Sequence, residues 1–136
     1  SVKLIMAKHT KILLVEDNLI NQEIILGLLE HSGIILDIAS NGKEAVDKFQ
    51  KNSYEFIFMD LQMPIMDGYE TTRQIRKYEQ DENRESGIYI IAMTANAMVG
   101  DREKALEAGC NDYLTKPIQR GELMEKLAML KGSGKS

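Results

Sequence analysis

Polar side chains follow four apolar segments of this sequence, at the point where each apolar run ends. They comprise three carboxylates, one hydroxyl and one ammonium: Glu16, Asp17, Asp60, Thr94 and Lys116. The run Phe56–Met59 leads directly into Asp60 and is bounded by Pro and Gly soon after, which is typical of a central strand in a parallel sheet. If these side chains met at one place, they would suit phosphoryl transfer to a carboxylate, which needs a nucleophile, charge neutralisation and positioning.

Such a site would carry too much negative charge on its own. Glu16, Asp17 and Asp60 would repel one another at a separation of a few Å. A hard divalent cation resolves this repulsion, and Mg²⁺ prefers oxygen ligands, keeps several waters and often shares phosphate oxygens. Lys116 could pair with an anionic group on Asp60, and Thr94 could hydrogen-bond the same group. We therefore expect Asp60 to be the chemical centre and Mg²⁺ to be the cofactor.

The elements that must position these residues follow from hydrophobic periodicity. Apolar runs predict strands at 11–15, 34–39, 54–59, 88–93 and 111–114. Helical spacing predicts helices from the N-cap Asn18 to a stop at Gly33, at 43–51, from 69 onward, at 98–108 and at 120–130. Five alternating strands and helices indicate an α/β fold, a doubly wound parallel sheet covered on both faces. All strand carboxyl ends then lie on one edge, where open α/β sheets bind ligands.

Three helical segments carry more specific expectations. In the first helix, Gln22, Glu23 and Glu30 are expected on the polar side. Five apolar residues recur at helical spacing on the other side: Ile20, Ile24, Ile25, Leu28 and Leu29. The charged stretch 77–87 is expected to be a solvated helix end and loop. The fourth helix has a thin apolar stripe and contains Gly100, which lowers helix stability by about 1 kcal/mol relative to Ala. A weakly held helix beside a reaction centre is a candidate mobile element.

Composition excludes several classes of protein. The 136 residues suit one domain, and the net charge of −4 argues against a nucleic-acid-binding surface. No apolar run approaches the ~20 residues that span a bilayer, and we expect no membrane contact by this domain. The single Cys110 fits a reducing compartment, so a cytoplasmic location is expected, although a parent chain could still be membrane-anchored. We expect a leader or linker at 1–9, the domain at 10–131 and a flexible tail at 132–136.

Four motifs in order give the sequence a family resemblance. They are VEDN at 15–18, MDLQMPIMDG at 59–68, IAMTANA at 91–97 and YLTKP at 113–117. Together they resemble the receiver domain of two-component response regulators, and most closely the receivers of hybrid sensor histidine kinases. The resemblance covers nearly the whole chain and implies a flavodoxin-like sheet with strand order 2-1-3-4-5.

The resemblance implies roles for the residues at the strand ends. Asp60 would be the phosphoacceptor for a partner's phosphohistidine. Glu16, Asp17, Asp60 and the backbone carbonyl of Gln62 would hold Mg²⁺, and Lys116 would pair with the phosphoryl group. Many family members have Asp where this chain has Glu16, a longer carboxylate that can bind the metal directly or through water.

Further implied roles concern switching. Thr94 would contact the phosphoryl group and move on activation, and Tyr113 would change rotamer with it. Gln62 and Asn96 match positions that tune how fast the aspartyl phosphate hydrolyses. The peptide bond before Pro117 would be cis. The implied partners are a histidine kinase or a histidine phosphotransfer domain as phosphodonor, and a second copy bound through helix 4, strand 5 and helix 5.

The resemblance implies a signalling module that catalyses only its own phosphorylation and dephosphorylation. Two other functions remain as alternatives. One is an Mg²⁺-dependent phosphatase with an aspartyl nucleophile, for which a second acid is expected two residues after the nucleophile; that position is Gln62 here. The other is a receiver-like interaction module that is never phosphorylated, which the complete set of site residues disfavours. The parent chain of a receiver of this kind could be a hybrid histidine kinase.

Overall fold

The computed structural model describes residues 10–63, 66–95 and 99–133. Five parallel strands form one sheet in the order β2-β1-β3-β4-β5. The strands are β1 Lys11–Val15, β2 Ile35–Ala39, β3 Phe56–Asp60, β4 Tyr89–Thr94 and β5 Asp112–Thr115. The helices are α1 Leu19–Leu28, α2 Gly42–Lys51, α3 Gly68–Asp81, α4 Val99–Ala108 and α5 Arg120–Ser133. The predicted doubly wound, flavodoxin-like fold is confirmed.

Most element boundaries lie within two residues of the predicted ones. β3 and β4 each include the polar residue that closes the run, Asp60 and Thr94, because both still pair with their neighbours in register. α5 is longer than expected and continues to Ser133, into the segment predicted as a tail. No helix in the described part of the chain is long and apolar enough to cross a bilayer.

The sheet separates two hydrophobic clusters, one on each face. β3 lies at its centre, and all five of its residues are buried. On one face the strands pack against α2, α3 and α4 through residues such as Phe49, Ile75 and Ala105. On the other face they pack against α1 and α5 through Ile25 and Leu127. A strand covered on both sides is apolar along its whole length, which explains the unbroken run before Asp60.

The expected apolar face of α1 is confirmed at Ile25 and Leu29, which are buried, and is wrong at Ile20 and Ile24. Ile20 is 69% exposed and Ile24 is 48% exposed, whereas Gln22 is buried. The stripe through Gln22, Ile25 and Leu29, spaced three and four residues apart, faces the sheet, and Leu28 packs beside it. Gln22 tolerates burial because its side-chain amide donates a 2.7 Å hydrogen bond to the backbone carbonyl of Glu16.

The charged segment 77–87 is largely a solvated helix end and loop, as expected, and Glu79 is the exception. Glu79 is 5% exposed. Its carboxylate accepts hydrogen bonds from Arg76 at 2.8 Å and from the backbone N–H of Ile88 at 2.7 Å. Arg84 lies over the Phe49 ring at 5.1 Å. Paired charges of this kind can be buried, which a count of charged residues does not reveal.

α4 has the small apolar contact surface that its sequence predicts. Among its described side chains only Ala105 and Ala108 are buried. Two cations on the same helix lie over aromatic rings of neighbouring elements: Lys104 over Tyr69 of α3 at 4.9 Å and Arg102 over Tyr113 of β5 at 4.6 Å. The described side chains that α4 buries are therefore small, whereas α2, α3 and α5 bury Phe49, Ile75 and Leu127.

Candidate functional site

The carboxyl edge of the sheet brings together the polar residues that follow β1, β3, β4 and β5. Asp60 closes β3 between its two neighbours, β1 and β4. Glu16 and Asp17 follow β1, and one carboxylate oxygen from each of them and from Asp60 lies within 4.8 Å of the other two. The expected convergence of the three carboxylates is therefore found.

The carboxylates differ in exposure. Glu16 and Asp60 are each 1% exposed, whereas Asp17 is exposed to solvent. Burial raises the pKa of Glu16 to about 7. The backbone N–H of Asn18, which donates to Glu16 Oε2 at 3.1 Å, acts against this rise, the neighbouring charge of Asp60 adds to it, and Lys116 opposes it. Burial and the neighbouring Asp60 thus make a second negative charge at this edge costly.

Lys116 supplies positive charge to both buried carboxylates. Its Nζ lies 3.0 Å from Asp60 Oδ1 and 3.4 Å from Glu16 Oε1. The backbone N–H of Lys116 donates to the carbonyl of Thr94 at 2.7 Å, which holds this residue beside β4. The bond between Lys116 and Pro117 is cis, as the resemblance implied. One ammonium cannot neutralise three carboxylates, so the site retains a capacity for a further cation.

Thr94 and Gln62 form a hydrogen-bonded connection across two loops. Thr94 is the last residue of β4 and is 2% exposed. Gln62 Nε2 donates to Thr94 Oγ1 at 3.0 Å, and Gln62 Oε1 accepts from the backbone N–H of Ala95 at 3.2 Å. The backbone N–H of Gln62 donates to Asp60 Oδ1 at 3.1 Å. Sequence reasoning assigned Gln62 a metal-binding carbonyl and a tuning position, and it missed this side-chain connection.

Tyr113 and Asn96 are the remaining switch and tuning residues. Tyr113 is the second residue of β5, half-buried, and pairs in register with Ala92, two residues before Thr94. Arg102 covers its ring. Asn96 lies outside the described residues, as do Pro64 and Ile65 of the second motif.

Gly68 is a further residue that sequence reasoning undervalued. The pair Asp67-Gly68 is typical of a turn and a helix cap, and Asp67 does cap α3 by accepting from the backbone N–H of Glu70 at 2.9 Å. A Cβ at Gly68 would also lie 2.3 Å from the backbone oxygen of Asp60 and 2.8 Å from Leu61 Cα. α3 therefore begins in direct contact with the end of β3, and only glycine permits this approach.

The donor set fits a hard cation. Within 10–63, 66–95 and 99–133, Glu16, Asp17 and Asp60 form the one group of three acidic, His or Cys side chains arranged to hold a metal. All their donor atoms are carboxylate oxygens, which suit Mg²⁺ rather than a thiolate-seeking or imidazole-seeking metal.

Comparisons with known proteins agree with this geometry. Among solved structures, the chain is similar to the receiver domain of a sensor histidine kinase from Pseudomonas aeruginosa PAO1, determined with a magnesium ion coordinated in the active-site cleft. The identity is 43%, the TM-score is 0.79, and the match covers 91% of this chain and 98% of that one. It is also similar to the receiver domain of the Saccharomyces cerevisiae response regulator Ssk1 in complex with the histidine phosphotransfer protein Ypd1. There the identity is 39%, the TM-score is 0.82, and coverage is 88% of this chain and 86% of that chain.

Curated relatives include larger signalling proteins. The hybrid signal transduction histidine kinase B of Dictyostelium discoideum is 44% identical over 124 residues, which is 86% of this chain and 6% of the kinase. The response regulator mcs4 of Schizosaccharomyces pombe is 37% identical, over 85% of this chain and 26% of that protein. The chain thus spans a small part of these relatives. The family model of the response regulator receiver domain matches residues 12–128. The chain belongs to the response regulator receiver domain family.

Proposed function

We propose that this domain accepts a phosphoryl group from a partner's phosphohistidine onto Asp60 and acts as a switch in a two-component phosphorelay. One observation carries the proposal most directly. The carboxylate of Asp60 lies at the carboxyl edge of a central strand, 3.0 Å from Lys116 Nζ and within 4.8 Å of two further carboxylates. Such a crowded carboxylate, with one paired cation and room for another, suits an acceptor of phosphoryl groups.

Phosphoryl transfer to Asp60 forms one bond to phosphorus and breaks another. A carboxylate oxygen of Asp60 forms a new bond to phosphorus while the bond from phosphorus to the imidazole nitrogen breaks. The bonding electron pair stays on the imidazole nitrogen, which takes up a proton from solvent. The histidine is therefore released with a neutral ring. Lys116 offsets negative charge on the phosphoryl oxygens, and Thr94 offers a hydroxyl to one of them.

We propose that Mg²⁺ is held by Glu16, Asp17, Asp60 and the backbone carbonyl of Gln62. The crowding of oxygen donors supports this set, and a similar receiver binds magnesium in its cleft. A bound Mg²⁺ would supply charge neutralisation for the carboxylates and for the incoming phosphoryl oxygens. The protein's own contribution is to hold the carboxylates together and to keep Asp60 away from bulk water.

Incubation with Mg²⁺ and acetyl phosphate tests the proposal. We expect a single phosphate-sized, base-labile adduct by intact-mass spectrometry, and we expect its formation to fall by at least about tenfold when EDTA replaces Mg²⁺. An adduct that forms equally in EDTA would contradict the metal site. Absence of an adduct in Mg²⁺ would contradict phosphoryl acceptance.

The proposed phosphodonor is a histidine phosphotransfer domain or a histidine kinase, and α1 offers it a surface beside the site. Leu19 and Ile20 are 72% and 69% exposed. On the same helix, Ile24, which is 48% exposed, lines a cavity of about 310 Å³ together with Lys116 and Pro117. Single exposed apolar residues are ordinary, but a contiguous apolar surface next to a reactive carboxylate indicates where a partner docks. The complex of the similar Ssk1 receiver with Ypd1 supports this partner class.

Ile20→Glu tests this surface. We expect the rate of phosphoryl transfer from a histidine phosphotransfer protein to fall about tenfold or more, because burying a new carboxylate at an interface is costly. Phosphorylation by acetyl phosphate should remain unchanged, since α1 does not supply the reacting groups. Ile35→Glu, at the amino end of β2 and so at the opposite edge of the sheet, is the matched control because Ile35 is also an exposed isoleucine, at 45%. Equal loss in both variants would contradict docking on α1.

Several finer points follow as proposals. We propose a signalling role rather than turnover of phosphate monoesters, because Gln62 stands where an aspartyl phosphatase needs a second acid. A cytoplasmic location fits a phosphohistidine donor.

Self-association through α4, β5 and α5 would cover exposed Leu106 and Met129, and sedimentation of the phosphorylated protein tests it. We propose no nucleic-acid contact and no membrane contact by this domain.

A further inference from the structure

Gln62 contacts both the proposed nucleophile and the proposed switch residue. We propose that its side-chain amide is a latch that holds Thr94 in the resting position, and that Thr94 must leave this latch before it can contact a phosphoryl group on Asp60. This inference rests on the proposed function and adds a positioning residue to it. The latch is distinct from the backbone carbonyl of Gln62, which we assign to the metal.

The hydrogen bonds define how the latch is oriented. The backbone N–H of Ala95 can only donate, so the oxygen of the Gln62 amide must face it, at 3.2 Å. The amide nitrogen then faces Thr94 Oγ1, at 3.0 Å. One side chain from the loop after β3 thereby fixes both the last side chain of β4 and the first backbone N–H of the loop that follows. These partners lie 32 and 33 residues away in sequence.

The same residue is connected to the nucleophile. Its backbone N–H donates to Asp60 Oδ1 at 3.1 Å, and Lys116 Nζ donates to that same oxygen at 3.0 Å. A phosphoryl group on either carboxylate oxygen changes the charge and the space around this oxygen. The backbone of Gln62 is therefore placed to respond to modification of Asp60, while its side chain holds Thr94.

A latch of this kind opposes the switched state. Thr94 Oγ1 accepts from Gln62 and would donate its O–H to a phosphoryl oxygen, so the two bonds compete through position, because the hydroxyl must move away from the Gln62 amide to reach that oxygen. Loss of one hydrogen bond of ordinary strength shifts a two-state equilibrium by roughly tenfold. Removing the amide should therefore favour the switched state, whereas a purely structural bond would support both states equally.

The test uses Gln62→Met, which keeps the length of the side chain and removes the amide. Gln62 is exposed, so this change leaves the hydrophobic core untouched. The probe is beryllofluoride with Mg²⁺, a mimic of a phosphoryl group on a carboxylate, and the readout is its dissociation constant by calorimetry. We expect roughly tenfold tighter binding in Gln62→Met. We also expect the Thr94 methyl resonance of the unliganded variant to move toward its beryllofluoride-bound position.

Thr94→Val provides the second arm, since it removes the other end of the latch with nearly the same shape. In a Thr94→Val background, Gln62→Met should leave the affinity for beryllofluoride unchanged, because no latch remains to release. Unchanged or weaker binding in Gln62→Met alone, or equally tighter binding in the Thr94→Val background, would overturn the latch while leaving phosphoryl acceptance in place. A wild-type protein that binds no beryllofluoride would instead overturn the proposed function, and the latch with it.

Discussion

Asp60→Asn is expected to abolish the phosphate adduct and to raise the free energy of unfolding of the metal-free protein by about 1 kcal/mol. The first effect follows because an amide oxygen is a poor nucleophile and cannot form a stable acyl phosphate. The second follows because Asp60 and Glu16 are both buried and share one ammonium, Lys116, so that neutralising one carboxylate relieves repulsion.

Intact-mass spectrometry after acetyl phosphate treatment measures the first effect, and urea denaturation in EDTA measures the second. Mg²⁺ should raise the melting temperature of the wild type by mass action and that of Asp60→Asn by less. Asp47→Asn, an exposed acid on α2, is the matched control and should behave as the wild type in all three measurements. A metal-free Asp60→Asn protein less stable than the wild type would contradict the crowded acidic cluster.

Gly68→Ala is expected to lower the free energy of unfolding by about 3 kcal/mol. The added Cβ would lie 2.3 Å from the backbone oxygen of Asp60 and 2.8 Å from Leu61 Cα. Both obstacles are backbone atoms of the buried end of β3, so neither can move aside as a flexible side chain could. The start of α3 must shift instead, and the carboxyl end of β3 that presents Asp60 shifts with it. Phosphorylation should therefore slow as well.

Urea denaturation with a matched glycine separates this clash from a general effect of alanine. Gly27 lies in α1, and a Cβ there would meet no atom within 4 Å. Gly27→Ala should therefore raise the free energy of unfolding by about 0.5–1 kcal/mol, through helix propensity alone. Stability of Gly68→Ala equal to that of Gly27→Ala would show that α3 does not need to approach β3 so closely.

The sequence indicated the framework of the site because its signals are local. The apolar run before Asp60, bounded by Pro and Gly, is typical of a covered strand, and parallel strands place their carboxyl ends on one edge. The caps at Asn18 and Asp67 were readable for the same reason, since each side chain bonds a backbone N–H three residues ahead. The order of the strands in the sheet could not be predicted from any single segment. It came from the family resemblance, and the sheet confirms it.

The features that escaped prediction depend on contacts between segments distant in sequence. Gln22 and Glu79 look solvent-exposed by residue type, and each is buried because a particular partner satisfies it. The connection between Gln62 and Thr94 joins the loop after β3 to the end of β4, and the two meet only because β3 and β4 are neighbours. No periodicity or spacing within either segment indicates it. Gly68 shows the same limit, since a glycine before a helix is ordinary until its distance to β3 is known.

Identification of the modified residue tests the central claim most directly. The protein is phosphorylated with acetyl phosphate and Mg²⁺, reduced with sodium borohydride, digested and analysed by tandem mass spectrometry, since borohydride converts an aspartyl phosphate to homoserine. The proposed function predicts homoserine at position 60 and unreduced Asp at positions 17 and 67. Homoserine at either of those positions, or a stable phosphate on a histidine or hydroxyl side chain with Asp60 unmodified, would contradict the assignment of Asp60 as the phosphoacceptor.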